Sequence, residues 1–107
     1  MTTETSQVVW LESRSDYSIH ELVELSGLPA SLLGDLIDCG ALPVEGTSTT
    51  VRFEAESVVL ARAAQRIQEH FELDDRGLAV AVTLLRRVRA LEAQLSNARA
   101  RSRSETD

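Results

Sequence analysis

From Tyr17 onward, apolar positions recur at helical spacing in four runs, the second and third of them separated by a longer stretch of a different pattern. In the first, Ile19, Leu22, Val23 and Leu25 of SIHELVELS share one side, in the three- and four-residue steps of an amphipathic helix. Its start is marked twice. Ser18 precedes Glu21 at the spacing of a reciprocal capping box, and Tyr17 and Leu22 stand where a hydrophobic staple fixes the entry of the chain. Gly27 supplies the freedom a tight exit needs, and Pro29 suits the first position of a second helix, where a missing N–H costs nothing. Leu32, Leu33, Leu36 and Ile37 then repeat at helical spacing up to Gly40, which stands in a C-capping position. Packing against the first helix turns Leu33, Leu36 and Ile37 inward and leaves Ala30, Ser31, Gly34, Asp35 and Asp38 outward. The pattern predicts helix, short turn, helix.

Two stretches read as strands. QVVWLE, residues 7–12, predicts a short first strand with Trp10 in the core. ALPVEGTSTTVRFEAE, residues 41–56, predicts a hairpin, or wing, with Val51 and Phe53 on one side. A longer helix follows from Glu54 to about Glu72, with Leu60, Ala64, Ile67 and Phe71 on its apolar face. LDD breaks it, and Asp74 or Asp75 can cap a last helix that runs to about Ala100, ahead of a frayed tail, residues 101–107. The last helix carries Ala81, Leu84, Val88, Leu91, Leu95 and Ala98 in alternating steps of three and four, a heptad seam. A helix of roughly 25 residues extends about 38 Å, too far for so small a domain to cover. Leu84, Val88, Leu91 and Leu95 are therefore expected to join two copies as a homodimer, the alternative being a seam that folds back on its own domain. The fold class is mainly α: residues 1–53 form a winged helix-turn-helix, and residues 54–100 two long helices packed with it as one domain.

At 107 residues, 43% of them hydrophobic, the chain suits a single core. No apolar run approaches a membrane span, and MTTETSQ lacks the regions of a signal peptide, so a soluble cytoplasmic protein is expected. The single cysteine, Cys39, has no partner for an internal disulfide and reads as a small buried hydrophobe. His20 and His70 are far apart and outside any ligand motif, and no phosphate loop or nucleophile elbow is present. No catalytic residue, metal or cofactor is predicted.

Charge changes the picture more. Residues 1–75 carry a net charge of −10 and residues 76–107 a net +4. All 11 basic residues are Arg, a bias that a GC-rich genome produces by itself. The acidic three-quarters repel phosphates, on whose neutralisation nucleic-acid binding depends, and a basic protein is the complementary partner.

The order strand, helix-turn-helix, wing, long helix, dimerising helix resembles the MerR-type regulators, and YSIHELVELSGLPASLLGDLIDCGAL looks like their opening helix-turn-helix. In that family the second helix carries an Arg, an aromatic and a Glu ahead of a Gly-Leu turn. Here those positions read LLGDLIDCGAL, so the resemblance in fold does not bring DNA binding with it. A closer resemblance covers nearly the whole chain: the sequence is similar to the CbpM family, modulators of the J-domain co-chaperone CbpA. RAAQRIQEHFELDDRGLAVAVTLLRRVRALEAQL, residues 62–95, carries its most specific part, and Leu73, Asp74, Gly77, Ala79, Val80, Ala81, Thr83 and Leu84 match the family pattern. Asp75 and Arg76 stand where Trp and Pro are common in the family. The resemblance implies a dimer that grips a J-domain, masks the surface offered to a DnaK-type chaperone, and restrains the co-chaperone's DNA binding.

J-domains, as a family, present a basic helix. Asp35 and Asp38 on the outward face of the second helix are therefore the first candidates for contacts with it, followed by Glu21 and Glu24, although Glu21 is already explained as a cap. Exposed ion pairs contribute only about 0–1 kcal/mol each, so apolar anchors are needed as well. Leu32 and Leu42 are the candidates, and a place in the core explains each of them too. Gly34, unfavourable inside a helix, signals close approach either of a partner or of another helix of the domain. Arg86, Arg87 and Arg89 spread around the last helix and read as solvated groups or as partners for acids of the other subunit, including Glu92, with a nucleic-acid contact as the rival reading. The competing function is a MerR-type DNA-binding transcriptional regulator, which needs basic residues on the second helix or wing. Between Gly27 and Val51 there are none, and Arg52 alone is a poor substitute. A dimerising adaptor with an unrelated partner is a third reading.

Overall fold

Each of the four helical runs forms a helix in the computed structural model, which describes residues 16–46 and 51–106. They are α1 (Ile19–Ser26), α2 (Ala30–Asp38), α3 (Ala55–Phe71) and α4 (Asp75–Thr106). Local chemistry sets their ends. The Ser18 N–H donates to Glu21 Oε1 at 3.0 Å and the Glu21 N–H to Ser18 Oγ at 3.1 Å, closing the capping box of α1. Gly27 ends that helix at φ 79°, and its N–H donates to the Val23 carbonyl. In the turn, the Leu28 N–H donates to Ser26 Oγ at 3.1 Å. Pro29 stands at the N-cap of α2, one position before the expected one, because its backbone is extended there. Of the two acids that could start α4, Asp74 does so: its Oδ1 accepts the Gly77 N–H at 2.8 Å.

The core gathers Tyr17, Leu22, Leu33, Leu36, Phe53, Val58, Leu60, Leu78 and Val82, all fully buried. Burying a side chain of this size is worth roughly 1.5–3 kcal/mol. α3 lies at the centre and packs against both α1 and α4, while α2 closes the remaining side against α1 and α4. The Arg62 guanidinium of α3 donates from Nε to the Leu25 carbonyl at 3.0 Å, tying α1 down at its C-terminal end.

Several expectations are corrected. α4 runs through the residues expected to fray and reaches Thr106, 32 residues in all, about 48 Å at 1.5 Å per residue. It accounts for the 51 Å long axis of the molecule and for a radius of gyration of 15.4 Å, against the roughly 13 Å of a compact chain of this size. Phe71 is 70% exposed. α1 ends opposite Gln65, whose Cγ lies 3.7 Å from a Cβ built on Gly27, and Phe71 is six residues, about 9 Å, beyond it. Cys39 is exposed in the turn after α2, since helical spacing puts it next to Asp38 on the outer side. Strand pairing among the described residues consists of two isolated antiparallel bridges, Tyr17 with Phe53 and Glu45 with Arg52. Among the described residues, the expected wing is represented by the Glu45–Arg52 bridge alone, with hydrogen bonds of 2.9 and 2.8 Å. The predicted first strand and Trp10 lie outside the described residues.

Candidate functional site on the outer face of the second helix

Ala30, Gly34 and Asp38 follow one another at four-residue steps and form a stripe along α2, with Ser31 and Asp35 beside it. All but half-buried Gly34 are exposed. A Cβ built on Gly34 would meet nothing within 4 Å. No helix of the domain crosses there, so internal packing does not explain this glycine.

Across from the stripe, the segments 44–46 and 51–53 contribute Val44, Gly46, Val51 and Phe53, and α1 contributes Ile19. With Ile37 they enclose an open groove of about 430 Å³, within the size range of ligand pockets. Val44 and Val51 are 40% and 37% exposed. Among the described residues, Asp38 is the one charged residue in the lining. Side chains alternate across an extended segment, so Val51 and Phe53 face the groove while Arg52 projects to the other side of the wing, level with its bridge partner Glu45. On that side the Glu54 carboxyl is held above its ordinary range, first by a hydrogen bond to Glu45 and by repulsion from its charge, then by burial and by Glu56.

The structure sorts the predicted contact residues. Asp35 and Asp38 are exposed, with Asp38 on the rim of the groove. Glu24 is exposed on α1, whereas Glu21 is half-buried with its carboxylate engaged in the cap. Leu32 and Leu42 are corrected: at 6% and 1% exposure both are core. Leu32 precedes Leu36 by one turn and shares its inward face. After Gly40, at φ 83°, the Ala41 and Leu42 N–H groups both donate to the Leu36 carbonyl, at 2.9 and 3.2 Å, and this folds Leu42 beneath α2. The apolar surface available on this face is that of Ile19, Ile37, Val44 and Val51, contacts that no local spacing reveals.

The arginines of α4 are used differently from expectation. Arg86 Nη1 donates to the Gly40 carbonyl at 3.1 Å, bracing the end of α2. Arg89 Nε lies 3.7 Å from Glu56 Oε1 of α3, an ion pair without a hydrogen bond. Both are engaged within their own domain. Leu78, Val82 and Leu85 form the packed side of α4, while Leu84, Val88, Leu91 and Leu95 are 57%, 49%, 52% and 51% exposed. Among the described residues, no group of His, Cys, Asp or Glu could hold a metal ion, and no helix is long and apolar enough to cross a membrane.

A family model described as MerR HTH family regulatory protein matches residues 17–100. No curated protein and no solved structure matches the chain. The matched stretch takes in α1, the turn, α2, the Glu45–Arg52 bridge, α3 and most of α4. The chain belongs to the MerR HTH family of regulatory proteins.

Proposed function

We propose that this chain is a chaperone modulator of the CbpM type: it binds the J-domain of a CbpA-like co-chaperone and inhibits both that protein's stimulation of a DnaK-type chaperone and its DNA binding. One observation carries the reading. The exposed face of α2, the position from which a helix-turn-helix reads DNA, presents Ala30, Ser31, Gly34, Asp35 and Asp38 and no cation. Phosphates would meet negative charge there, whereas the basic helix of a J-domain would meet its complement. The resemblance of residues 62–95 to the CbpM pattern supports the same partner. Asp35 and Asp38 contribute ion pairs, with Glu24 as an outlying acid and Glu21 reserved for its cap. The exposed seam of Leu84, Val88, Leu91 and Leu95 supports a homodimer joined along α4.

Titration calorimetry of the protein against the J-domain of a CbpA-like co-chaperone tests this reading. Binding with suppression of ATPase stimulation is expected; no heat and no inhibition at high micromolar concentration would overturn it. Reversing Asp35 and Asp38 to Arg should weaken the complex more than tenfold, about 1.4 kcal/mol, without unfolding the domain, since both side chains are exposed. Retardation of duplex oligonucleotides at ordinary salt would favour the DNA-binding regulator instead.

A further inference from the structure

We infer that the groove between α2 and the turn after it is the apolar half of the partner site, and that its occupant is a large apolar side chain on a Lys- or Arg-bearing amphipathic helix of the partner protein. Only the naming of that helix as one from a J-domain rests on the function proposed above; the groove and the chemistry of its occupant stand apart from it.

Three observations converge. Gly34 leaves its surroundings empty: a Cβ there meets nothing within 4 Å, so the most helix-disfavouring residue after Pro sits at the floor of an open groove with no internal packing to justify it. The walls are aliphatic, with Val44 and Val51 more than a third exposed, as at the centre of a protein contact, where apolar anchors are desolvated. Among the described residues the lining is acidic and carries no cation: Asp38 lines the groove, Asp35 stands beside it, and no Lys or Arg occurs from Gly27 to Val51. An apolar floor with an anionic rim fits a ligand of the opposite design, an apolar side chain flanked by cations on one helical face. Nucleic acid does not fit, because its phosphates would approach the rim. The α4 seam of a second copy also carries apolar residues beside arginines. From Leu84 to Ala98 it extends about 21 Å, against about 14 Å for the nine residues of α2, too long for this groove to cover.

The test uses the full chain and two probes: the J-domain, and a synthetic helical peptide with one Leu face and one Lys face. Gly34→Leu fills the groove. It is expected to unfold at or above the wild-type temperature while binding either probe at least tenfold more weakly. Val44→Lys, which places a cation in the lining at an exposed position, should lose binding equally and covers the case in which Gly34→Leu does not fold. In the wild type, the Leu/Lys peptide should shift the amide resonances of Gly34, Val44 and Val51, and a Leu/Glu peptide should not. Peptide-induced shifts elsewhere, or a folded Gly34→Leu that binds both probes as the wild type does, would overturn the inference. Failure of the J-domain alone to bind would remove the partner reading, while shifts with the Leu/Lys peptide would still support the groove. A fall in molecular mass on Gly34→Leu, seen by light scattering, would assign the groove to a second copy of this chain and overturn it.

Discussion

Replacing Gly34 with Ala should stabilise this protein, an unusual direction for a change on a face proposed to bind a partner. Gly34 lies within α2, and its backbone is outside the left-handed region that only Gly27, Gly40 and Gly46 occupy among the described glycines. An interior helical glycine is about 0.8–1.0 kcal/mol less favourable than alanine, largely because the unfolded chain loses freedom on substitution. The steric cost is absent, since the new Cβ has no neighbour within 4 Å. The methyl gains little burial for the same reason, so the expected gain is about 0.5–1 kcal/mol, or a rise of roughly 2–8 °C for a domain of this size. Gly77 provides the contrast. Its Cβ would lie 3.3 Å from Asp74 Oδ1 and 3.5 Å from Leu73 Cβ, so the cap accepted by Asp74 must loosen. A cap is worth about 1 kcal/mol, which offsets the propensity gain, and Gly77→Ala should be neutral or destabilising. Urea unfolding followed by far-ultraviolet circular dichroism, at one fixed protein concentration because a dimer makes midpoints concentration-dependent, measures both. A destabilised Gly34→Ala, or a Gly77→Ala that gains as much, would refute the claim that one glycine borders open space and the other a packed helix start.

Two further outcomes follow from the charge and the seam. Folding favours the protonated form of Glu54, whose carboxyl is raised above 4.5 chiefly by Glu45, so its contribution to stability is present at acid pH and lost as pH rises through the raised value. Glu45→Gln should therefore be more stable than the wild type at pH 7, with the difference closing below about pH 4.5 and the Glu54 titration moving down in NMR; a pH-independent difference would refute this. Leu91→Lys with Leu95→Lys changes two half-exposed side chains beyond the packed part of α4, so sedimentation should report a monomer with an unchanged helical spectrum, and an intact dimer would place self-association elsewhere.

The parts of the fold legible in the sequence are those decided within a few residues. The Ser18–Glu21 box, the Gly27 exit and the acid opening α4 are contacts at separations of three or four residues, and each was readable as spacing. Leu42 was not, because its burial depends on the chain turning back at Gly40 so that two N–H groups reach one carbonyl of α2. Phe71 continues the periodicity of α3 without error. It is exposed because periodicity says which side a residue faces and not whether another element extends far enough to cover it. Arg86 and Arg89 were read as outward charges for the same reason: their partners, Gly40 and Glu56, lie 46 and 33 positions away in the chain.

The candidate site divides along the same line. Its acidic half was visible because helical geometry alone puts Asp35 and Asp38 outward, whatever α2 packs against. Its apolar half joins Ile19, Gly34, Ile37, Val44 and Val51 from three segments, and one-dimensional pattern does not say which of them meet. Gly34 was the single sequence signal, and it pointed equally to a crossing helix and to a partner; the empty space about its Cβ removes the first. What remains is a helix-turn-helix whose one Arg between Gly27 and Phe53, Arg52, lies on the wing face turned away from the groove, in register with Glu45. The proposed cationic partner suits this face better than phosphates do, since Asp35 and Asp38 stand exposed on it. On the proposed reading, a cationic helix would meet the acidic rim and the apolar lining together, which is why the two halves are tested with one Leu/Lys probe.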